Sequence, residues 1–194
     1  MNSQEVIDRF KKSGALLEGH FLLSSGLHSP LYLQCAIALQ ATAESIEFGA
    51  ALADHFRGET VDTVASPAIG GLVIGYEVAR QLGVRFIWTE REQGRMVLRR
   101  GFTVRNGERV LVVEDVITTG GSTRDTISAL EAAGAKVVAA ASIIDRSGGK
   151  ADVGVPRVSL ATLDAPTDTP DHCEACRRGE PLVKPGSRTT NPTV

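Results

Sequence analysis

Residues Arg109–Arg124, RVLVVEDVITTGGSTR, decide the fold class of this chain. The run Val110–Val113 is unbroken, aliphatic and mostly β-branched, which is typical of a parallel strand covered on both faces. Two adjacent carboxylates, Glu114 and Asp115, stand where that strand is expected to end. A turn rich in hydroxyls and glycines follows, and apolar residues then recur at helical spacing as far as Gly134. The segment therefore predicts a strand, an acidic pair, a phosphate-sized loop and a helix.

The turn at residues 118–123, TTGGST, has the composition of a phosphate-binding loop. Glycines let backbone N–H groups converge, hydroxyls add donors, and the following helix presents the positive end of its dipole. The carboxylates beside it would repel phosphate, so they suit neutral hydroxyls, such as those of a ribose, or a divalent cation. The loop lacks both GxxxxGK[ST] and GxGxxG, which argues against a P-loop nucleotidase and a dinucleotide fold. A solvent-facing glycine-rich connection is the alternative for the Gly-Gly pair alone.

Composition places the chain among ordinary globular proteins. Its 194 residues suffice for one domain with a sizeable core, and the net charge of −2 shows no basic excess for nucleic acid. Residues 1–12 lack an apolar core of signal-peptide length, and no apolar run approaches membrane-spanning length. Three cysteines, two of them spaced CxxC, do not make a secreted disulfide framework. We expect a cytoplasmic protein without a nucleic-acid or membrane partner.

The other segments predict a repeated strand–helix pattern. Periodic apolar residues predict three further helices, at Ser3–Lys12, Thr42–Phe56 and Gly71–Leu82. Short aliphatic runs predict further strands, at Val61–Ala65, Arg85–Thr89, Lys136–Ile144 and Arg157–Leu163. A right-handed crossover would make the strand at 61–65 parallel to the strand at 110–113. The Gly70-Gly71 loop after it is the expected place for a second phosphate, with a structural turn as the alternative.

The string VLVVEDVITTGGST resembles the phosphoribosyl pyrophosphate (PRPP) signature of type I phosphoribosyltransferases. The resemblance implies an α/β fold of the type I phosphoribosyltransferase kind, a parallel twisted sheet flanked by helices with a small N-terminal hood subdomain. It also implies that Glu114 and Asp115 hold the ribose hydroxyls and that the loop wraps the 5′-phosphate. The implied PRPP-binding residues are Glu114, Asp115, Val116, Ile117, Thr118, Thr119, Gly120, Gly121 and Ser122.

The N-terminal segment carries a second resemblance. Between residues 15 and 33, short apolar bursts alternate with Gly, Ser and Pro, which predicts short strands and turns in a small subdomain. GHFLLSSGLHSPLYLQ resembles the hood of orotate phosphoribosyltransferases, where Phe-x-Leu-x-Ser-Gly-x-x-Ser-Pro-x-Tyr covers the pyrimidine. The residues that fit are Phe21, Leu23, Ser25, Gly26, Ser29, Pro30 and Tyr32, whereas Ser24 stands where the family commonly has lysine. A packing hairpin without a ligand is the alternative for this segment alone.

The resemblance implies one phosphoribosyltransferase domain over residues 1–163, with the hood at about 14–35 and the core at about 42–163. Residues 164–194 form a C-terminal tail rich in Pro, Thr and Gly. The tail contains a CxxC pair, Cys173 and Cys176, preceded by His172. Structural zinc needs four ligands, and only the distant Cys35 or another subunit is expected to complete such a site. We therefore expect packed cysteines without metal, and isolated histidines at positions 20, 28 and 55.

Residues 90–102 form a charged, Gly-centred segment, which taken alone indicates a solvated hairpin. In phosphoribosyltransferases this position holds a mobile loop that closes over pyrophosphate, usually Arg-Lys-Glu-x-Lys-x-His. Here Arg91, Gly94 and Met96 replace the two lysines and the histidine. The available cations are Arg91, Arg95, Arg99 and Arg100, of which we assign Arg91 and Arg95, with Asp115, as the catalytic set. Arginine clamps phosphate but is a poor general acid.

Arg146 follows the strand at 136–144 and lies at the carboxyl edge of the predicted sheet. The resemblance implies that Arg146 pairs with the carboxylate of orotate, with Thr118 nearby; a surface arginine is the alternative. It further implies Mg²⁺ held mainly through PRPP, without a metal ligand assigned to the chain, and a homodimer in which the neighbouring subunit contributes the mobile loop.

The implied reaction converts orotate and PRPP to orotidine 5′-monophosphate and pyrophosphate, in pyrimidine nucleotide biosynthesis. Two alternatives stay open: a phosphoribosyltransferase for another nucleobase, and a non-catalytic PRPP-binding regulator. The missing loop lysines favour both alternatives. A nucleic-acid-binding regulator would need a basic face or an added helix-turn-helix, and the sequence predicts neither.

Overall fold

A computed structural model describes residues 1–23 and 25–185 of the 194-residue chain. Helices are found at α1 (Ser3–Lys12), α2 (Cys35–Leu39), α3 (Thr42–Asp54), α4 (Leu72–Leu82), α5 (Gly121–Ala132) and α6 (Glu174–Arg177). Strands are found at β1 (Leu16–Leu22), β2 (His28–Leu33), β3 (Thr63–Pro67), β4 (Arg85–Glu92), β5 (Arg95–Leu98), β6 (Arg109–Ile117), β7 (Lys136–Asp145) and β8 (Arg157–Thr162). Across these residues, no helix combines the length and the apolar composition needed to cross a bilayer.

The main sheet has the strand order β5-β4-β3-β6-β7-β8. In this order, β4, β3, β6, β7 and β8 are all parallel to one another. β5 lies at one edge and runs antiparallel to β4. The predicted parallel α/β sheet is therefore confirmed. Because parallel strands end on the same side, the carboxyl ends of β3, β6 and β7 meet along one edge, called here the carboxyl edge.

Helices cover both faces of this sheet, which explains the unbroken aliphatic run of β6. Side chains alternate between the faces of a strand. Val110 and Val112 accordingly pack in the cluster that includes α5, whereas Leu111 and Val113 pack in the cluster that includes α1, α3 and α4. All four side chains are fully buried. The core therefore holds β6 rigidly at the centre of the sheet, and the residues at its carboxyl end are fixed in place.

Several elements differ from the sequence prediction. β6 continues to Ile117 because it stays paired with β7 as far as Asp145, so the acidic pair lies inside the strand rather than after it. β4 continues to Glu92 because β5 pairs with it as a hairpin. The short helix α2 was not predicted.

The hood consists of the antiparallel hairpin β1–β2. The tail packs directly against it, since Val183 forms a β-bridge with Phe21, and Asp168 forms one with His28. Ser24 and the end of the tail, Ser187–Val194, lie outside the described residues. The division of the chain at residue 163 stays a prediction, but residues 164–185 are part of the folded unit rather than a separate appendage.

Candidate active site

The β6–α5 loop is built to accept an anion. It consists of Thr118, Thr119 and Gly120, and α5 begins at Gly121 without a side-chain cap on its first N–H groups. Gly120 has φ of 74°, and a Cβ there would lie 2.8 Å from Val153 Cγ1, so glycine is required on both grounds. Uncapped N–H groups at the start of a twelve-residue helix favour bound phosphate.

The two carboxylates of the acidic pair lie near the end of β6, just before this loop, and on opposite faces of the strand. Consecutive strand residues point to opposite faces. Glu114 turns toward α5, where its carboxylate accepts a hydrogen bond from the hydroxyl of Thr123. Asp115 turns toward the β3–α4 loop, and its Oδ1 accepts a hydrogen bond from the backbone N–H of Val116 at 2.9 Å. In the described chain neither carboxylate forms an ion pair.

Burial changes the protonation of both carboxylates. It raises the pKa of Glu114 to about 7, with the charge of Asp115 adding to the rise and the bond from Thr123 opposing it. Burial also raises the pKa of Asp115. The buried Cys35 thiol lies beside Asp115, and its pKa is well above the ordinary value because of burial and the nearby carboxylate. Half-buried carboxylates without a cationic partner are typical of sites that a ligand completes.

The β3–α4 loop approaches the acidic pair closely. A Cβ added to Gly70 would lie 2.7 Å from Asp115 Oδ1, and one added to Gly71 would lie 2.9 Å from the carbonyl oxygen of Val113. The loop can therefore offer backbone N–H groups to a ligand, and a side chain at position 70 would press on the Asp115 carboxylate. A second anion at this loop stays a prediction.

A cavity of 920 Å³ lies between the hood and the carboxyl edge. Thr118, Thr119 and Arg146 line its floor, Tyr32 contributes from the hood, and Lys184 contributes from the tail. A second cavity of 480 Å³ shares the same loop residues and Arg146. The hood thus encloses the space directly above the anion-binding loop.

Arg146 is the cation in this space. Its backbone N–H donates to the carbonyl of Ile117 at 2.8 Å, which ties the end of β7 to the end of β6. Burial lowers the pKa of its guanidinium. The neighbouring Asp145 is already engaged by Arg157, at 2.7 Å, and by Ser147. Within residues 1–23 and 25–185, the Arg146 side chain has no hydrogen bond or ion pair, so it is available to an anionic ligand.

Comparisons with known proteins identify the family of this chain. Residues 38–167 match the phosphoribosyl transferase domain family. An orotate phosphoribosyltransferase from Caldicellulosiruptor bescii is 53% identical over 188 residues, covering 97% of this chain and 99% of the relative. One from Desulforamulus reducens is 50% identical, covering 97% and 98%. The chain belongs to the orotate phosphoribosyltransferase family.

Solved structures show the same fold. The crystal structure of orotate phosphoribosyltransferase from Aeropyrum pernix matches with a TM-score of 0.67 and 28% identity, over 81% of this chain and 93% of that one. The structure of Leishmania donovani UMP synthase matches with a TM-score of 0.71 and 25% identity, over 83% of this chain and 36% of that one.

In this member of the orotate phosphoribosyltransferase family, the β4–β5 hairpin holds the predicted loop arginines away from the cavity. Arg91 donates to the carbonyl of Gly94 at 2.6 Å and pairs with Asp125 of α5 at 3.1 Å. Neither Arg91 nor Arg95 lines the 920 Å³ cavity. Arg95 is exposed and has no ion pair in the described part of the chain. The catalytic roles of both arginines stay predictions.

Two features were missed from the sequence. Thr167 and Lys184 line the 920 Å³ cavity. Nothing in the sequence of the tail indicated that it reaches this cavity. The expectation of isolated histidines is wrong for His20 and His28, whose rings approach to 2.9 Å beside the CxxC pair. Strand alternation in the hood would have placed both histidines on one hairpin, but no local pattern indicated where the tail would pack.

Proposed function

We propose that this chain transfers the 5-phosphoribosyl group of PRPP to orotate, giving orotidine 5′-monophosphate and pyrophosphate. The observation that carries the proposal is the position of Arg146. Its unpaired guanidinium lies under the hood, in the cavity that Thr118 and Thr119 of the anion-binding loop also line. That arrangement places a carboxylate-binding group and a phosphate-binding group within one enclosed space.

PRPP fits the carboxyl edge. Its 5′-phosphate would occupy the N-terminus of α5, where the first backbone N–H groups have no side-chain cap. Glu114 and Asp115 would accept hydrogen bonds from the ribose hydroxyls, which satisfies buried carboxylates that have no cationic partner in the described chain. Val116 and Ile117 connect the two parts and hold them at a fixed spacing, because both belong to β6.

Orotate fits between this loop and the hood. Its carboxylate would receive a bidentate pair of hydrogen bonds from Arg146, and Thr118 would bind beside it. Uracil lacks the carboxylate and would leave a half-buried guanidinium without a partner. A site built for a polar group rejects an analogue that lacks it, so this arrangement favours orotate over uracil.

The reaction requires positioning and charge stabilisation rather than a protein nucleophile. Orotate N1 attacks the anomeric carbon as pyrophosphate leaves, and positive charge develops on the ribose. The negative charge of Glu114 and Asp115 would stabilise this positive charge. The rigid β6–α5 edge would align the reacting atoms. The hood limits the access of water, which would otherwise hydrolyse PRPP.

The donor set of the carboxyl edge is compatible with Mg²⁺. The edge offers carboxylate oxygens, which suit a hard cation, and Mg²⁺ commonly binds through one or two carboxylates together with substrate phosphates. We infer that Mg²⁺ is held mainly by PRPP, with Glu114 and Asp115 as the nearest protein oxygens. When bound, the ion neutralises charge on the leaving pyrophosphate.

We further propose a homodimer in which the β4–β5 hairpin of one subunit contributes a side chain to the active-site cavity of the other. The exposed Arg95, at the start of β5, is the hairpin arginine that is free of ion pairs among the described residues. A second copy would also cover an apolar groove of 490 Å³ between α3 and α4, where Ile46, Val73 and Tyr76 are 45%, 48% and 59% exposed. Burying this groove would stabilise a dimer.

The direct test is PRPP- and Mg²⁺-dependent loss of orotate absorbance, with uracil, adenine, hypoxanthine and xanthine as parallel substrates. We expect turnover with orotate alone. Turnover only with another base would overturn the orotate assignment. Tight PRPP binding without turnover of any base would instead support the regulator.

A further inference from the structure

Four potential metal ligands converge where the tail meets the hood. They are His20 Nε2 from β1, His28 Nδ1 from β2, and the Sγ atoms of Cys173 and Cys176 from the tail, and all four atoms lie within 4.8 Å of one another. His20, His28 and Cys173 are buried. Residues 1–23 and 25–185 contain no second group of this kind.

The distances match tetrahedral coordination. His20 Nε2 lies 2.9 Å from His28 Nδ1, 3.4 Å from Cys173 Sγ and 3.6 Å from Cys176 Sγ, and Cys176 Sγ lies 3.2 Å from His28 Nδ1. A tetrahedral zinc ion with ordinary Zn–N and Zn–S bonds places its ligand atoms about 3.3 to 3.8 Å apart. These four separations lie within about 0.5 Å of the tetrahedral values, and the other two pairs of ligand atoms lie within 4.8 Å.

Hydrogen bonding within the cluster does not account for this arrangement. An imidazole nitrogen has either one N–H or one lone pair, and so makes one good hydrogen bond. His20 Nε2, however, faces three polar atoms at once. A single cation at the centre satisfies all four groups together, which pairwise hydrogen bonds cannot do.

The other ring nitrogen of His20 fixes its tautomer. His20 Nδ1 lies 3.0 Å from the carbonyl oxygen of Glu180, which can only accept. Nδ1 must therefore carry the proton, and the lone pair of Nε2 points into the cluster. A backbone carbonyl on the second ring nitrogen is the usual support of a metal-bound histidine, because it orients the ring.

The cluster also has a route of entry. A 200 Å³ cavity beside it is lined by His20, His28 and Cys173. Backbone hydrogen bonds hold the two segments in register around it, since Val183 N–H donates to His20 O at 2.9 Å and His28 N–H donates to Asp168 O at 2.8 Å. The ligands are thus positioned by the fold and do not depend on an ion to bring them together.

We propose that His20, His28, Cys173 and Cys176 bind one Zn²⁺ in a closed structural site that fastens the tail to the hood. Two thiolates and two imidazoles in a tetrahedral arrangement favour zinc over hard cations such as Mg²⁺. Four protein ligands leave no open position, so the ion has a structural role and not a catalytic one. The segment between the two histidines carries the cavity-lining Leu22 and Leu27, so the ion anchors the base of the hood loop.

The test begins with metal content, which does not depend on the substrate. The full chain is purified without a polyhistidine tag under reducing conditions, dialysed, and analysed by mass spectrometry for metals. We expect one zinc per chain. Reconstitution with Co²⁺ should give the visible bands of tetrahedral cobalt and a near-ultraviolet thiolate band. Absence of zinc after refolding with added Zn²⁺, or a Cys173–Cys176 disulfide that persists through purification under reducing conditions, overturns the proposal.

Matched variants distinguish a specific loss of the zinc site from a general destabilisation of the fold. Cys176→Ser changes an exposed ligand that the fold should tolerate, and we expect it to weaken zinc binding at least about tenfold, since even supporting residues of metal sites have effects of that size. His172→Ala removes the exposed histidine next to Cys173, which lies outside the cluster, and should keep one zinc per chain. A chelator should lower the melting temperature of the wild type and of His172→Ala, and Cys176→Ser should lose its zinc at a chelator concentration at least about tenfold lower. Equal zinc loss in the two variants would overturn the assignment of ligands.

Discussion

The carboxyl edge of the sheet and the β4–β5 hairpin both carry charged side chains, but they satisfy those charges differently. In the hairpin, Arg91 pairs with Asp125, and Arg100 pairs with Glu90 at 2.6 Å. At the carboxyl edge, Asp115 and Arg146 have no ionic partner in the part of the chain that is described, although burial shifts the pKa of both.

This difference indicates where a ligand is needed. A buried charge without a partner is costly, and it persists where something outside the chain supplies the partner. A paired surface charge is already satisfied and contributes little. The carboxyl edge is therefore prepared for substrate, whereas most of the hairpin arginines are occupied within the subunit.

The largest expected effect follows from removing a charge at the carboxyl edge. Asp115→Asn keeps the shape of the side chain but removes the negative charge that we propose lies next to the ribosyl group. We expect kcat/KM for PRPP to fall by about 10²- to 10³-fold, as when one electrostatic group of a catalytic site is lost. Steady-state kinetics should show no such loss for Asp54→Asn, an exposed carboxylate of α3. A loss of kcat/KM below about tenfold in Asp115→Asn would show that the acidic pair is not part of the active site.

The next largest effect is expected for Arg146→Gln, and it should be confined to the kinetic constants for orotate. Losing the hydrogen bonds from a charged donor to a carboxylate should lower kcat/KM for orotate by about 10²-fold. The affinity for PRPP, measured by isothermal titration, should change by about twofold at most, because the proposed site gives PRPP no contact with Arg146. Arg57→Gln, on an exposed arginine, is the control. Equal losses for orotate and PRPP would show that Arg146 is structural.

The hairpin arginines should have smaller and unequal effects. Arg95→Gln should lower kcat by roughly tenfold if Arg95 reaches pyrophosphate, whereas Arg91→Gln should change it by about threefold at most, because Arg91 is engaged by Asp125.

Mixing subunits tests whether Arg95 acts across the dimer. In randomly mixed symmetric dimers of Asp115→Asn and Arg95→Gln, about a quarter of the sites would regain both wild-type residues if each site combines two subunits. Recovery of activity in the mixture would support the shared site. Activity no higher than the average of the two variants would place Arg95 and Asp115 in the same subunit.

A separate effect is expected on stability and comes from Glu114. Its pKa of about 7 lies above the ordinary value of 4.5, so the native state binds more protons than the unfolded state between these values. The contribution of Glu114 to the free energy of unfolding therefore falls as pH rises through that window, by on the order of 2 kcal/mol. Urea unfolding between about pH 5 and about pH 8 should show Glu114→Gln gaining stability relative to the wild type.

The exposed Glu131→Gln on α5 is the control for this measurement, and its stability should follow that of the wild type at every pH. A constant difference between Glu114→Gln and the wild type across the window would contradict the raised pKa.

Contiguous stretches were predicted well from sequence. The order of strand, loop and helix in the β6–α5 unit, with the helix ending near Gly134, follows from periodicity and turn chemistry that act over a few residues. The predicted turn at 118–123 is shorter in the structure, because α5 already begins at Gly121. The parallel sheet follows from the repeated strand–helix pattern and the right-handed crossover. The position of Arg146 at the carboxyl edge was predictable because the end of a strand sets the location of the next residue.

Contacts between distant segments were not predictable. The tail residues Thr167 and Lys184 reach the cavity through a path that no local pattern specifies. The pairing of Arg91 with Asp125 depends on β5 packing against α5, and that packing depends on the hairpin extending β4.

The sequence by itself determined the fold class and the order of strand, loop and helix around residues 109–134, because these depend on short-range rules of strand, turn and helix formation. Its motifs also carried the resemblance to the family that the curated relatives show. The tertiary structure alone decided which charges remain unpaired and which side chains share a cavity. It also decided that His20 and Cys173, separated by 153 residues, lie 3.4 Å apart. Proximity of that kind results from burying apolar surface throughout the domain, and no segment contains that information locally.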